Sequence, residues 1–142
     1  MAGRFFDTNI LVYLASDDPV KADLAEAAIA QGGSISVQVL NDLANVARRK
    51  MRLSWDETHA LLGILRALLV VHPVTVETHE RGLALAERYG LSIYDAMIVA
   101  AAVLAGCDEL VSEDRLDGMV MAEGLRVVNP FGRGRGAAEC GD

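Results

Sequence analysis

The sequence is poor in aromatic residues, cysteine and histidine, and each scarcity excludes something. Aromatic residues make up only 5% of the 142 residues. The core must therefore be built from Ala, Val and Leu, a composition that suits helices packed on a sheet. The two cysteines, Cys107 and Cys140, have no C-x-x-C or other metal-ligand spacing. Cys107 has an apolar context and Cys140 a small, polar one. No disulfide is expected, and the chain reads as one suited to a reducing compartment. The histidines, His59, His72 and His79, include no H-x-x-x-H pair, which argues against a zinc site, and no P-loop, G-x-G-x-x-G or G-x-S-x-G motif occurs.

Long uncharged runs are missing too. Phe5 to Ala15 is apolar, but Asp7 and Asn9 interrupt it and Asp17 and Asp18 close it. It is too short and too polar for an export signal or a membrane span, so a cytoplasmic protein is expected. Positive charge is in deficit, with a formal net charge of -7. Broad, backbone-led nucleic-acid binding needs a positive face. A metal site is still compatible with this balance, because bound ions neutralise the carboxylates gathered around them.

What is abundant is apolar material. Hydrophobic residues reach 52% and mean hydropathy is +0.27, enough for one domain with one core. No internal repeat is visible.

Apolar periodicity divides the chain into alternating strands and helices. Arg4 to Asp7 predicts a strand, and Ile10 to Ala15 a buried helix ended by the turn Ser16-Asp17-Asp18-Pro19. Val20, Leu24, Ala27 and Ala28 mark a second helix, stopped by Gly32-Gly33. Ile35 to Val37 predicts a strand, and Val39, Leu43 and Val46 the face of a helix with the basic end Arg48-Arg49-Lys50-Met51-Arg52. Ser54 and Glu57 form a capping-box pattern ahead of the next helix. Val70, Val71 and Val74 predict a third strand around Pro73, and Glu77 to Tyr89 an amphipathic helix. Ile93 to Leu104 is almost wholly apolar and predicts a helix buried on most sides. Glu109 to Ser112 and Arg126 to Val128 are the last two strands expected. The chain then changes character, and residues 131–142 are expected to be a flexible tail on a domain of residues 1–130. Strands alternating with helices imply a parallel sheet covered on both faces, with sites at the carboxyl ends of the strands.

Four aspartates fall at such points. Singly, each has an ordinary structural role: Asp7 as a helix N-cap, Asp42 as solvated helix surface, Asp95 as part of a capping box with Ser92, and Asp114 as a turn residue. Jointly, right-handed crossovers bring all four to one edge of the sheet. Four carboxylates there repel one another, and a hard divalent cation such as Mg²⁺ or Mn²⁺ resolves the repulsion with oxygen ligands. Clustered carboxylates without a His or Cys ligand set suit phosphodiester hydrolysis. Glu113 and Asp117 are neighbouring acids for which a surface position is expected. The basic stretch has two readings: Arg48, Arg49, Lys50 and Arg52 guide RNA toward the site, or they simply complement a helix C-terminus.

The order Phe5-Phe6-Asp7-Thr8-Asn9, Ser36-Val37-Gln38-Val39-Leu40-Asn41-Asp42, Ser92-Ile93-Tyr94-Asp95-Ala96 and Ser112-Glu113-Asp114 resembles the PIN domain, and most closely the VapC-type toxins of bacterial toxin-antitoxin pairs. The resemblance covers roughly residues 3 to 130. It implies an α/β, Rossmann-like fold: a central parallel sheet of about five strands with helices on both faces. It further implies a Mg²⁺- or Mn²⁺-dependent endoribonuclease, a homodimer, and inhibition by a cognate antitoxin protein. Asp7, Asp42, Asp95 and Asp114 match the acidic catalytic and metal-binding positions, with Asn9 and Ser112 as supporting polar groups. The second acid is usually Glu in this family. Asp42 is one methylene shorter, so a water bridge between its carboxylate and the ion is expected.

Two other readings compete. A haloacid dehalogenase-like phosphohydrolase also places an Asp after its first strand. It requires D-x-D-x-T/V, but here Asn9 and Leu11 occupy the later positions and no Lys lies in a fitting loop. A catalytically weak PIN-like module that binds RNA or protein without cutting is favoured only by the shortened Asp42.

Overall fold

In the computed structural model, residues 3–113, 118–121 and 124–131 are described. The first strand, β1 (Gly3–Phe6), ends in Phe5 and Phe6, both wholly buried. Adjacent buried side chains point to opposite faces of a strand, so this pattern demands cover on both sides. The sheet supplies it. β1 lies at the centre of five parallel strands in the order β3-β2-β1-β4-β5, with β2 spanning Ser34–Ser36, β3 Val70–His72, β4 Cys107–Val111 and β5 Arg126–Val128. Phe5 registers with Ser34 on one side and Leu110 on the other.

The helices are α1 (Thr8–Leu11), α2 (Pro19–Ala30), α3 (Val37–Arg49), α4 (Trp55–Leu68), α5 (Val76–Tyr89) and α6 (Ile93–Leu104). Their boundaries follow local chemistry. Asp18 caps α2 ahead of Pro19, where a missing N–H costs nothing. Ser54 and Glu57 complete the expected capping box of α4. Gly90, at φ 69°, closes α5 in the left-handed conformation. Residues Ala96 to Ala102 of α6 are all buried, as the apolar run predicts. Small side chains there let α6 lie close to the sheet and to α5.

Several boundaries differ from the sequence reading. β3 stops at His72 instead of continuing to Val74: Pro73 has no N–H for the ladder, and Val74 is exposed. Val37 opens α3 rather than closing β2, because the Ser36 hydroxyl caps the helix at Val39 N. The expected helix Ile10 to Ala15 is divided into α1, which already begins at Thr8, and a 3₁₀ turn over Val12–Ala15. β4 begins at Cys107, two residues before Glu109. Phe131, the first residue of the expected tail, packs against the core. The rest of that tail, 132–142, lies outside the described residues.

The strand order places the site. The chain adds β2 and β3 on one side of β1, then returns to lay β4 and β5 on the other. Connections diverge between β1 and β4, leaving a crevice at their carboxyl ends. Asp7 follows β1 and Ser112 follows β4 at this point, joined by a 3.0 Å bond from Asp7 N to Val111 O.

Candidate active site

Among the described residues, two hydrogen bonds orient Asp7. As N-cap of α1, its Oδ1 accepts from Thr8 N at 2.6 Å. Its Oδ2 accepts from the Ser112 hydroxyl at 2.9 Å. Ser112 is buried, and its hydroxyl accepts in turn from Asn9 Nδ2 at 3.2 Å. Asn9 turns its carbonyl to Glu113 N at 3.1 Å. Asn9 thus uses both ends of its amide to stitch the first turn of α1 to the end of β4, and Ser112 passes that order to Asp7. A charge-assisted bond of this kind fixes the direction of the carboxylate.

Asp95 begins α6. Ser92 caps its backbone N–H at 3.2 Å. The reciprocal bond that would complete a capping box, made by Ser54–Glu57 and Thr75–Thr78, is not made here. Its carboxylate is therefore not spent on the cap. Asp95, Asp7 and Ser112 line the same small cavity, about 10 Å³, whose apolar wall includes Leu91, Ile98, Leu110 and Val127.

Asp42 stands in the second turn of α3, beside the buried face of Val39, Leu43 and Ala47. Burial raises its carboxyl above the usual range, a hydrogen bond from Gln38 partly offsets this, and repulsion from Asp95 adds to the rise. Gln38 also donates to Tyr94 O at 3.0 Å. One side chain thus ties α3 to the start of α6 and holds Asp42 near Asp95.

Two of the four expected acids, Asp7 and Asp95, therefore line one cavity, and Asp42 is close enough to Asp95 to feel its charge. Asp114 and Asp117 lie outside the described residues. Among the described residues, no three His, Cys, Asp or Glu groups close into a single metal-ligand cluster; the carboxylates approach in pairs, Asp7 with Asp95 and Asp95 with Asp42. The donor chemistry fits a hard divalent cation, since the convergent groups are carboxylate oxygens. Thr8 Oγ1, buried beside Asp7 with no hydrogen-bond partner, is a further oxygen left unspent.

The PIN domain family matches over residues 4–116. The chain belongs to the PIN domain family. Its fold is similar to that of a toxin-antitoxin complex from Klebsiella pneumoniae, with 25% identity, a TM-score of 0.70, and coverage of 90% of this chain and 98% of that one. It is also similar to the DNA-bound VapBC of Salmonella typhimurium, at 19% identity and TM-score 0.68, covering 92% and 99%. A third likeness is to VapC20 of Mycobacterium tuberculosis, a Sarcin-Ricin loop cleaving toxin, at 21% identity and TM-score 0.66, covering 79% and 90%. No curated protein sequence matches the chain.

This PIN domain holds one network that the sequence did not reveal. Glu113, expected at the surface, is partly buried: it accepts from Tyr13 Oη at 2.6 Å and from Lys21 Nζ at 3.1 Å. The Lys21 ammonium lies 4.7 Å from the Tyr13 ring centroid, and Phe131 meets Tyr13 edge-on at 5.0 Å. The bond to Glu113 chiefly raises the Tyr13 hydroxyl, and its bond to Tyr13 chiefly raises the Lys21 ammonium. No local signal marks these partners, which join residues about 100 positions apart.

The basic stretch sits at the other end of α3 from its cap. Arg48 is engaged: its Nη1 donates to Leu53 O at 2.7 Å, and its guanidinium lies 4.2 Å from the Trp55 ring centroid. Arg49, Lys50 and Arg52 are exposed.

Proposed function

We propose that this PIN domain is a metal-dependent endoribonuclease and the toxin of a toxin-antitoxin pair. The observation that carries the reading is the meeting of Asp7, Asp95 and Ser112 in one cavity at the β1/β4 crevice, with Asp42 beside Asp95. Asp7, Asp95, Asp42 and Asp114 are the residues to hold Mg²⁺ or Mn²⁺. Such an ion supplies Lewis acidity and charge neutralisation to phosphodiester hydrolysis. Ser112 and Asn9 keep the Asp7 carboxylate aimed. Gln38 sets the direction of Asp42. The apolar wall of Leu91, Ile98 and Val127 limits water at the cavity.

The similar solved structures include toxin-antitoxin complexes, and an apolar groove supports the reading that such a partner docks here. Leu14, Ile29, Leu61, Ile64, Leu65 and Leu68 line an apolar groove of about 400 Å³, with Ile64 and Leu68 each 55% exposed. An antitoxin segment with apolar side chains fits it. A homodimer and a cytoplasmic setting are part of the same proposal. No described helix is long and apolar enough to cross a membrane.

The test is cleavage of RNA with Mg²⁺ or Mn²⁺, with and without a chelator. Cleavage that stops with the chelator and returns with excess metal is expected. Cleavage that persists after full metal removal overturns the metal mechanism, and binding of RNA without any cleavage favours the non-cutting module.

A further inference from the structure

Trp55 is the only tryptophan in the chain, and it is 60% exposed at the first position of α4. It is exposed yet held. Arg48 covers it at 4.2 Å, and the same guanidinium is anchored on Leu53 O. His59, one helical turn on, places its ring centroid 6.2 Å away. An indole fixed by a cation but left open to solvent is preorganised to receive another flat ring.

The charge around it is opposite to that of the chain as a whole. From Leu43 to Trp55 there is no acidic residue, while Arg48, Arg49, Lys50 and Arg52 provide four of the chain's 13 Lys and Arg. Asp56 and Glu57 follow, but the Glu57 carboxylate is turned to Ser54 N at 2.8 Å in the capping box. A cleft of about 560 Å³ separates α3 from α4. Its walls carry Val37, Asn41 and Ala44 on one side and His59, Gly63 and Arg66 on the other. Asn41 precedes Asp42, and His59 neighbours Trp55. The cleft therefore runs along the α3 face that carries Val37, Asn41 and Ala44 to the residue beside the indole. At Gly63 a Cβ would meet nothing within 4 Å, so the wall is open there.

We propose that Trp55, braced by Arg48, is a stacking platform for one nucleobase of single-stranded RNA whose flanking nucleotides follow the α3/α4 cleft. The proposal rests on the ribonuclease reading. Arg66, Arg49, Lys50 and Arg52 meet the phosphates, and the indole meets a base face. Stacking of this kind tolerates any base, because every base presents a π-face. Selectivity for strand type follows instead: a duplex hides its base faces and cannot reach the ring.

The experiment uses the full chain carrying Asp7→Asn, so that RNA survives titration. A labelled single-stranded oligoribonucleotide is added while label anisotropy and the intrinsic fluorescence of the sole tryptophan are followed together. Saturable quenching that tracks anisotropy is expected. Adding Trp55→Ala should weaken binding about tenfold, and Trp55→Phe should retain most of it. Trp55 is largely exposed, so neither change empties the core. Binding by anisotropy with unchanged fluorescence, and equal affinity of the alanine variant, overturns the platform and leaves the ribonuclease reading intact. Equal quenching by inorganic polyphosphate means the patch reads charge alone, and quenching by an acidic peptide but not by RNA makes it a protein-docking surface; either overturns the platform. If no RNA binds and the unmutated chain cuts none, the ribonuclease reading fails and the platform with it.

Discussion

The Ser112 hydroxyl donates to Asp7 Oδ2 at 2.9 Å, joining residues 105 positions apart across the crevice between β1 and β4. It sets one carboxylate oxygen, while Thr8 N sets the other. Asp7 is therefore aimed before any ligand arrives.

Asp7→Asn, Asp95→Asn and Asp114→Asn should each abolish RNA cleavage, and the first two should leave the fold intact or more stable, since each removes a charge from a repelling pair. Ser112→Ala should lower activity and cost about 1–3 kcal/mol of stability, because Asp7 loses a charge-assisted donor and Asn9 an acceptor. Cleavage rates and urea unfolding measure both effects. Near wild-type rates in all three Asn variants would remove the site assignment.

Asp42 supplies a pH dependence. In chelator, its carboxyl is held above the usual range by burial and by Asp95. The folded chain then keeps this proton to higher pH than the unfolded chain. The resulting penalty is absent below the unfolded value and grows as pH rises through the interval up to the folded one. Metal-free stability should fall over that acid interval, and Asp42→Asn should flatten the profile. With metal, Asp42→Glu should retain or raise cleavage and tighten metal binding, whereas Asp42→Ala weakens both. If the Glu variant is as inactive as the Ala variant, the short side chain binds directly and the expected water bridge is wrong.

Gly33 is a structural test. At φ +150°, a Cβ would meet Phe6 Cε2 at 2.6 Å and Arg4 O at 2.9 Å, while Gly33 O accepts from Val70 N at 3.0 Å. Gly33→Ala should cost about 2–4 kcal/mol through backbone strain and overpacking. Gly32→Ala, with nothing within 4 Å, should cost less although its φ is +85°. Thermal unfolding of the two variants side by side distinguishes clash from strain.

Phe131 divides the C-terminal segment. A chain ending at Phe131 should fold as stably as the full chain, and Phe131→Ala should lose about 1 kcal/mol from its edge-on contact with Tyr13. The Tyr13–Lys21–Glu113 network should loosen in alkali. Both Tyr13 and Lys21 are raised, so the folded chain holds their protons longer and loses stability as pH climbs above 10. Glu113→Gln should reduce that loss. An unchanged alkaline limb would rule the network out as its source.

The sequence by itself determined the alternation of strands and helices, the family, Asp7, Asn9 and Ser112 as neighbours of strand ends, and Asp95 as part of a helix start. Those features rest on short-range energetics: apolar periodicity, helix caps, and prolines or glycines that stop an element. The same local rules went wrong where a distant group competes or a single backbone atom decides. β3 ends at His72 for want of the Pro73 N–H. Only the tertiary structure decided that Glu113 turns to Tyr13 and Lys21, that Gln38 spans from Asp42 to Tyr94, and that Phe131 closes on the domain. Such pairings depend on the order of strands in the sheet. A side chain's nearest partner across 100 residues is set by which edges that order brings together, and no spacing along the chain encodes it.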